Sequence, residues 1–233
     1  MTAGPAAGPR PESAFISELR ALSGRYWGTH PFHRRLHAGE LDERQLRVWA
    51  ANRWYYQSML PQKDAAIIAN CPLPEIRRQW LDRIVYHDGT SAGTGGIERW
   101  LRLCTAVGLG RDEVLDERHV VPGVRFAVDA YVTFARTKPW WEAVASGLTE
   151  MFAGHLMQQR VADMLAHYSW ISAGDLAYFT NRIDKVSGEG KDTLDIVVRH
   201  CGTRERQDRA IAALSFKCDV LWSMLDAIER AAG

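Results

Sequence analysis

The chain has 233 residues, 46% of them hydrophobic, and is long enough to bury a sizeable core in one domain. Its 29 basic and 28 acidic residues nearly cancel, which excludes a general electrostatic attraction to nucleic acid or to an anionic membrane. The four cysteines form no CxxC pair and no disulfide-framework spacing, which indicates reduced thiols, a cytoplasmic protein and no cysteine-based zinc site.

The first segment, MTAGPAAGPRPES, is rich in Pro, Gly and Ala and lacks the apolar stretch of a signal peptide. We expect residues 1–13 to form a disordered tail and residues 14–233 to form a single domain. No apolar run reaches the length of a membrane span.

Beyond this tail, apolar residues recur at helical spacing almost everywhere, and no segment alternates with the period of a β-strand. Two capping boxes and three prolines mark helix starts: Asp42-x-x-Gln45, Ser172-x-x-Asp175, Pro74, Pro122 and Pro139. We expect helices to stop at Pro61, at Gly89 and at Gly188-Glu189-Gly190.

These signals predict an all-α protein. The expected helices lie at 15–23, 42–60, 63–70, 74–88, 96–107, 122–137, 139–166, 173–185 and 191–230, the last two with room for a break.

A glycine-rich connection, GTSAGTGG at residues 89–96, directly follows His87 and Asp88. It has the spacing of neither a P-loop nor a dinucleotide-binding motif, and a helix precedes it where both motifs need a strand. Gly89 is suited to end that helix in a left-handed conformation. We therefore predict a flexible connection near a ligand rather than a phosphate site.

A metal site is an alternative, because His30, His33 and His37 have the spacing of one helix face. Pro31 and the charged neighbours disfavour this alternative. A helical di-iron site needs Glu-x-x-His pairs on two helices, and no Glu-x-x-His occurs in the sequence.

Helical wheels indicate instead that several helices direct cations inward. Arg83 and His87 share an arc with the apolar residues Ile76 and Trp80. An inward arginine is costly unless an anion meets it. An imidazole with an ordinary pKa near ~6.5 can remove and return protons around neutral pH.

Other helices repeat this pattern. Arg53 and Gln57 lie within an apolar stripe, Lys217 lies opposite a polar arc, Tyr131 lies at the centre of an apolar face, and Tyr178 and Arg182 lie one turn apart. We find few inward acids to match these cations, Glu150 being the best candidate, unless the basic side chains extend to the surface. The residues thus predict a helical bundle around a pocket for a polyanionic, aromatic small molecule.

The chain also contains six distinctive stretches: ANRWYYQ (51–57), KDAAIIANCP (63–72), HDG…GGIERWLRL (87–103), ERHVVPGVRFAVDAY (117–131), LTEMF (148–152) and FKCDVLWSMLD (216–226). Together they closely resemble the pyrroloquinoline-quinone (PQQ) synthase family, also called PQQ biosynthesis protein C. The resemblance implies a haem-oxygenase-like helical bundle around a polar pocket, a homodimer, and no metal or organic cofactor. It also implies an oxidase that completes PQQ by ring closure and eight-electron O₂-dependent oxidation of a bicyclic amino-quinoline precursor, with release of H₂O₂.

The resemblance assigns roles to residues. It matches His87 to the central acid/base, and Tyr178 and Arg182 to a pair that shapes the closed site and assists the oxygen steps. It matches ten further residues to substrate contacts: Tyr26, Arg53, Tyr56, Gln57, Lys63, Arg83, Tyr131, Glu150, Arg160 and Lys217.

The chain departs from the family pattern at two positions. Trp27 stands where the family usually has a ligand-contacting histidine, and Met157 stands where some members have another, with His155 two positions away. Three further functions on the same fold are alternatives. A thiaminase-like hydrolase needs a cysteine or carboxylate nucleophile in the pocket, a di-iron oxygenase needs iron, and a quinone carrier binds without oxygen uptake.

Overall fold

The computed structural model of the chain describes residues 8–233, apart from the side chains of Asp184 and Ser187. Over this range it contains α-helices, short 3₁₀ segments and no β-strand, which confirms the prediction of an all-α protein. The helices are α1 (Glu12–Ala21), α2 (Pro31–His37), α3 (Glu43–Asn70), α4 (Pro74–Asp88), α5 (Gly95–Ala106), α6 (Arg111–Leu115), α7 (Pro122–Thr137), α8 (Trp140–Ala145), α9 (Ala153–His167), α10 (Ala177–His200) and α11 (Arg204–Ala232). The 3₁₀ segments are Leu22–Arg25, Trp27–Thr29 and Ser146–Phe152.

Two hydrophobic clusters form the core. One surrounds Trp49 and Trp100, whose ring centroids are 5.5 Å apart, and the other surrounds Trp80. The long helices α3 and α11 contribute to both clusters. In each helix one part packs in the first cluster and another part packs in the second. A buried lysine, Lys63 in α3 and Lys217 in α11, lies between these two parts. The fold therefore brings charged groups to the junction of its two apolar clusters.

Local capping chemistry begins the helices much as predicted. The backbone N–H of Gln45 donates to Asp42 Oδ1 at 2.7 Å, and the N–H of Asp42 donates to Gln45 Oε1 at 3.1 Å. Pro74 and Pro122 are the first residues of α4 and α7. These contacts supply partners to N–H groups that a helix start otherwise leaves free.

The capping box at Ser172 and Asp175 also forms, with Ser172 N–H donating to Asp175 Oδ2 at 2.8 Å. It closes a turn, however, and α10 begins later, at Ala177. The predicted helix start at this box is therefore wrong.

The predicted helix stop at Pro61 is also wrong, because α3 runs through this buried proline. Pro61 removes one backbone hydrogen bond and costs about 3 kcal/mol in an isolated helix. In the folded protein α3 packs along both α4 and α7, and this tertiary contact holds its two parts in line. The predicted helix 63–70 is the end of α3.

The predicted stop at Gly188-Glu189-Gly190 is wrong for a different reason. α10 continues through it, since a glycine inside a helix costs only about 1 kcal/mol. A Cβ atom at Gly190 would lie 3.1 Å from the backbone nitrogen of Met151, so the glycine permits close packing on the 3₁₀ segment Ser146–Phe152.

The predicted elements need further correction in one long helix, in two short helices and in the N-terminal tail. The predicted helix 139–166 divides into α8, the 3₁₀ segment Ser146–Phe152 and α9, and the short helices α2 and α6 were not predicted. Residues 1–7 of the predicted tail lie outside the described residues, whereas Arg10 bonds to Gln207 and α1 starts at Glu12. Within residues 8–233 no helix is long and apolar enough to cross a membrane.

Candidate functional site

The central cavity is narrow, with a volume of about 70 Å³, which is room for a few water molecules. Helices α3, α4, α7, α9, α10 and α11 contribute to its wall, together with the 3₁₀ segments Trp27–Thr29 and Ser146–Phe152. Eleven of the thirteen residues predicted for the site line it: Tyr26, Arg53, Tyr56, Lys63, Arg83, His87, Tyr131, Glu150, Tyr178, Arg182 and Lys217. The structure thus brings together residues that are distant in the sequence.

The other two predicted residues, Gln57 and Arg160, lie behind this wall. Gln57 is fully buried, and its Oε1 accepts a hydrogen bond from the Tyr178 hydroxyl at 2.7 Å. Arg160 Nη2 lies 3.3 Å from His33 Nε2, and burial followed by the charge of Arg53 lowers the pKa of Arg160 to about 10. Neither residue lines the cavity in this structure, and their direct contact with the substrate stays a prediction.

One side of the cavity, the acid-paired wall, consists of Arg83, Arg182, Glu150 and Glu189. Arg83 Nη1 donates to Glu150 Oε1 at 2.6 Å, and Arg182 Nη1 donates to Glu189 Oε2 at 2.7 Å. Arg182 Nη2 also lies 3.6 Å from Glu150 Oε1. Two arginines and two carboxylates therefore pair with one another here. Glu150 Oε2 and Arg182 Nε, however, are buried without a hydrogen-bond partner among the described residues.

These pairs control the charges of the acid-paired wall. Burial opposes the charge of Arg83, but Glu150 and Glu189 outweigh it and hold its pKa above the ordinary value. Burial likewise opposes ionisation of Glu150, yet Arg83 and Arg182 lower its pKa. The pKa of Glu189 is raised, because burial and the neighbouring Glu150 outweigh the attraction of Arg182. Glu189 is therefore the carboxylate of this wall that a proton neutralises most readily.

The other side, the aromatic wall, consists of Trp27, Arg53, Tyr56, Tyr131 and Lys217. The Arg53 guanidinium lies 4.4 Å from the Trp27 ring centroid and 4.7 Å from that of Tyr56. Lys217 Nζ lies 3.4 Å from the Tyr131 ring centroid and donates to the Tyr56 hydroxyl at 2.9 Å. Aromatic faces, rather than carboxylates, hold these two cations.

The aromatic wall leaves its cations incompletely satisfied. Nε and Nη1 of Arg53 are buried and have no hydrogen-bond partner among the described residues. Burial lowers the pKa of Arg53, and burial together with Lys63 and Arg53 lowers that of Lys217 well below its ordinary value. An anionic ligand would supply the missing partner and raise both pKa values.

His87 lies at the end of α4, where the helix stops at Gly89 with a φ of 81°, as predicted for this glycine. The imidazole lines the cavity but is only 4% exposed. Burial first, then the charges of Arg182, Lys63 and Arg83, hold the pKa of His87 well below its ordinary value. The expectation of an ordinary pKa near neutrality is therefore wrong. The imidazole is therefore in its neutral form, which can accept a proton but not donate one as an acid, and the surrounding cations make it a weaker base than a free imidazole.

Two cavity acids were not predicted. Asp64 forms an ion pair with its neighbour Lys63, and Glu189 pairs with Arg182. Asp64 continues the helical stripe of Arg53, and Glu189 continues that of Tyr178 and Arg182, so the wheels contained the signal. The prediction that acids are fewer than cations is confirmed, with five cationic side chains and three carboxylates lining the cavity within residues 8–233, but two of those three acids were missed.

The two departures from the family pattern lie at this site. Trp27 and Met157 both line the cavity. His155 is exposed and lies in a separate surface groove, so it does not replace the missing imidazole.

The histidines of the alternative metal site have other contacts. His30 Nδ1 accepts a hydrogen bond from the Phe32 N–H and so caps α2, and His37 Nδ1 lies 2.7 Å from Asp163. Within residues 8–233 no three His, Cys, Asp or Glu side chains form a group that could hold a metal ion. The four cysteines are buried, and none of them lines the central cavity.

The sequence of this chain is similar to that of a known protein family. The model of the TENA/THI-4/PQQC family matches residues 16–227. The pyrroloquinoline-quinone synthase of Cronobacter sakazakii is 50% identical over 217 residues, covering 93% of this chain and 86% of that protein. The pyrroloquinoline-quinone synthase of Acidiphilium cryptum is 51% identical over 214 residues, covering 91% and 87%.

Solved structures share the fold at low sequence identity. A domain of unknown function with a heme oxygenase-like fold from Shewanella denitrificans has a TM-score of 0.78 at 10% identity, covering 95% of this chain and 93% of that chain. A TenA homolog from Pseudomonas syringae has a TM-score of 0.75 at 11% identity, covering 97% and 99%. The predicted haem-oxygenase-like bundle is confirmed.

Proposed function

The chain belongs to the TENA/THI-4/PQQC family, and from this premise we propose that it is a PQQ synthase. The reaction joins ring closure to the eight-electron, O₂-dependent oxidation of a bicyclic amino-quinoline precursor, with release of H₂O₂. One observation carries the proposal: a neutral, nearly buried His87 lies in a cavity with more cations than carboxylates. The two relatives named pyrroloquinoline-quinone synthase, each about half identical to this chain, support it.

The first task of the site is to bind a polycarboxylate. Arg53 and Lys217 of the aromatic wall lack carboxylate partners among the described residues, so substrate carboxylates gain charge-assisted hydrogen bonds there. The aromatic rings beside these cations offer faces to a planar quinoline. Binding at this wall places the amine of the substrate arm near the ring carbon it must attack, which favours closure through orientation.

The second task is proton transfer. His87 is neutral in the free protein, so it acts first as a base and removes carbon-bound protons of the cyclised substrate. Each proton accepted makes it an imidazolium, which then serves as an acid. Tyr178, held by Gln57, and Arg182, held by Glu189, complete the predicted catalytic set.

The third task is oxidation. Removal of protons yields an electron-rich quinol that transfers its electrons directly to O₂. Arg182 and the protonated His87 stabilise the reduced oxygen species electrostatically. On this proposal O₂ is a co-substrate, PQQ is the product, and the enzyme uses no metal and no organic cofactor. Movement of the 89–96 connection or of α10 excludes water during these steps.

The proposal extends to assembly and location. The enzyme acts as a homodimer in the cytoplasm, on a small-molecule substrate and without a nucleic-acid or membrane partner. Light scattering of the purified protein tests the dimer, since a monomer mass at micromolar concentration contradicts it.

The decisive experiment is aerobic incubation of chelator-treated protein with the bicyclic precursor, following quinone absorbance and oxygen uptake together. We expect product, oxygen consumption and H₂O₂. The variant His87→Ala should bind the precursor but stall before full oxidation, and normal turnover by this variant contradicts the base assignment. Tight binding by the wild type without oxygen uptake would instead favour the quinone carrier.

A further inference from the structure

The two ends of the glycine-rich connection between α4 and α5 are tightly packed beside His87, whereas residues 90–94 between them are exposed. Gly95 has a φ of +89°, and a Cβ there would lie 2.5 Å from the His87 carbonyl oxygen. A Cβ at Gly89 would lie 2.3 Å from Thr94 Oγ1. These glycines therefore permit the chain to turn back sharply, so that the first turn of α5 reaches the end of α4.

Gly96, in that first turn, faces the imidazole itself. A Cβ at Gly96 would lie 3.3 Å from His87 Nδ1 and 3.2 Å from Tyr86 Cε1. Gly96 is buried, and its φ does not lie in the left-handed region. Backbone conformation therefore does not require a glycine at this position, and close packing against His87 is what a side chain would disturb.

The other contacts of the ring fit the same arrangement. The Tyr86 and His87 rings meet edge to face, with centroids 5.2 Å apart. Nδ1 is fully buried and has no hydrogen-bond partner within the described part of the chain. Since His87 lines the cavity, Nε2 is the ring nitrogen left for a ligand. No hydrogen bond fixes this orientation on the Nδ1 side, so packing has to fix it.

We propose that Gly96 is a positioning residue for His87: the lack of a side chain at position 96 lets α5 press against the Nδ1 edge and directs Nε2 into the cavity. This inference rests on the proposed role of His87 as the base. It also gives the glycines of the connection a function, which is the placement of a proton acceptor.

The test uses Gly96→Ala and Gly96→Val, which add one and then three carbon atoms against the ring. We expect kcat to fall about tenfold for Gly96→Ala and about a hundredfold for Gly96→Val, because small displacements of a catalytic group are costly. The dissociation constant of the precursor, measured anaerobically, should change less than about twofold, since the cations of both walls are untouched. Alanine favours a helix over glycine, so Gly96→Ala should unfold at an unchanged or higher temperature.

A matched control is Gly188→Ala in α10, where a Cβ meets no atom within 4 Å. Its kcat should equal that of the wild type. If Gly96→Ala also keeps wild-type kcat, the proposal is overturned, whatever the stability of Gly96→Val.

A spectroscopic readout separates this inference from the proposed function. In free protein labelled with ¹⁵N-histidine, the His87 ring signals are identified by their loss in His87→Gln. We expect Gly96→Ala to shift these signals while Gly188→Ala leaves them in place. If even the wild type fails to oxidise the precursor, the proposed function is wrong. The spectra still test the positioning role in that case, because unshifted His87 signals in Gly96→Ala overturn it.

Discussion

The two walls of the cavity hold cations in opposite ways. In the acid-paired wall, Arg83 and Arg182 donate to Glu150 and Glu189. In the aromatic wall, Arg53 and Lys217 lie over aromatic rings and form no ion pair with a carboxylate of the described residues. A buried ion pair becomes costly when one partner is removed, whereas a buried cation without an acid is costly already. We therefore propose that the acid-paired wall chiefly stabilises the folded protein, whereas the aromatic wall binds the anionic ligand.

The largest expected effect comes from breaking the acid-paired wall. Arg83→Met leaves Glu150 buried with one fewer cation and removes the bond from Arg83 to Thr193 Oγ1 at 2.8 Å. We expect the free energy of unfolding of the ligand-free protein to fall by about 3–5 kcal/mol. Urea denaturation measures it. A loss below about 1 kcal/mol would mean that Arg182 alone compensates Glu150.

The matched substitution in the aromatic wall should act in the opposite sense. Arg53→Met removes a buried guanidinium whose Nε and Nη1 lack partners among the described residues, and it leaves no acid behind. We expect unfolding stability to stay constant or rise, while the dissociation constant of the precursor rises about ten- to a hundredfold. Calorimetry on both arginine variants tests the contrast. Equal losses of stability in the two variants would contradict the division into two walls.

The sequence was sufficient to predict that Arg53, Arg83 and Lys217 face the interior, since they stand among apolar residues on continuous helical wheels, and all three line the cavity. The two missed acids show where the method fails. Asp64 follows Pro61, and Glu189 lies within the Gly188–Gly190 stretch. The predicted helices that carry Arg53 and Arg182 were therefore ended before they reached these acids, and the acids were left off the helical wheels. Tertiary packing carries both helices through these breaks, and local propensity contains no information about that packing.

The sequence also could not predict which side chains contact each other within the site. A helical wheel predicts that Arg53 and Arg83 both face inward, and it does not distinguish between their partners. Whether an inward arginine meets Glu150 or the Trp27 ring depends on which helices face each other across the cavity. For the same reason the low pKa of His87 could not be predicted, because its causes are burial and cations from other elements.

A smaller effect should appear in the pH dependence of stability. Burial and the neighbouring cations hold the pKa of Lys217 below its ordinary value in the folded protein. Between the folded and unfolded pKa values, the unfolded chain therefore binds a proton that the folded chain does not, and this contribution to stability increases as pH rises. Lys217→Met should remove this slope. Its stability relative to the wild type should be greatest at low pH and decline towards the ordinary lysine pKa. Urea unfolding at several pH values checks this, and a constant difference would contradict it.

The smallest expected effect concerns Trp27, whose ring faces Arg53. A desolvated cation–π contact is worth about 1–2 kcal/mol, so Trp27→Leu should weaken precursor binding roughly fivefold, while Trp27→Phe should nearly preserve it. If Trp27 acts on precursor binding only by holding the Arg53 guanidinium, its contribution depends on Arg53. In an Arg53→Met background, Trp27→Leu should then have no further effect on the dissociation constant, as a double-mutant cycle measures. If Trp27→Leu weakens binding equally in both backgrounds, the indole contacts the ligand itself, and the aromatic wall binds through its rings as much as through its cations.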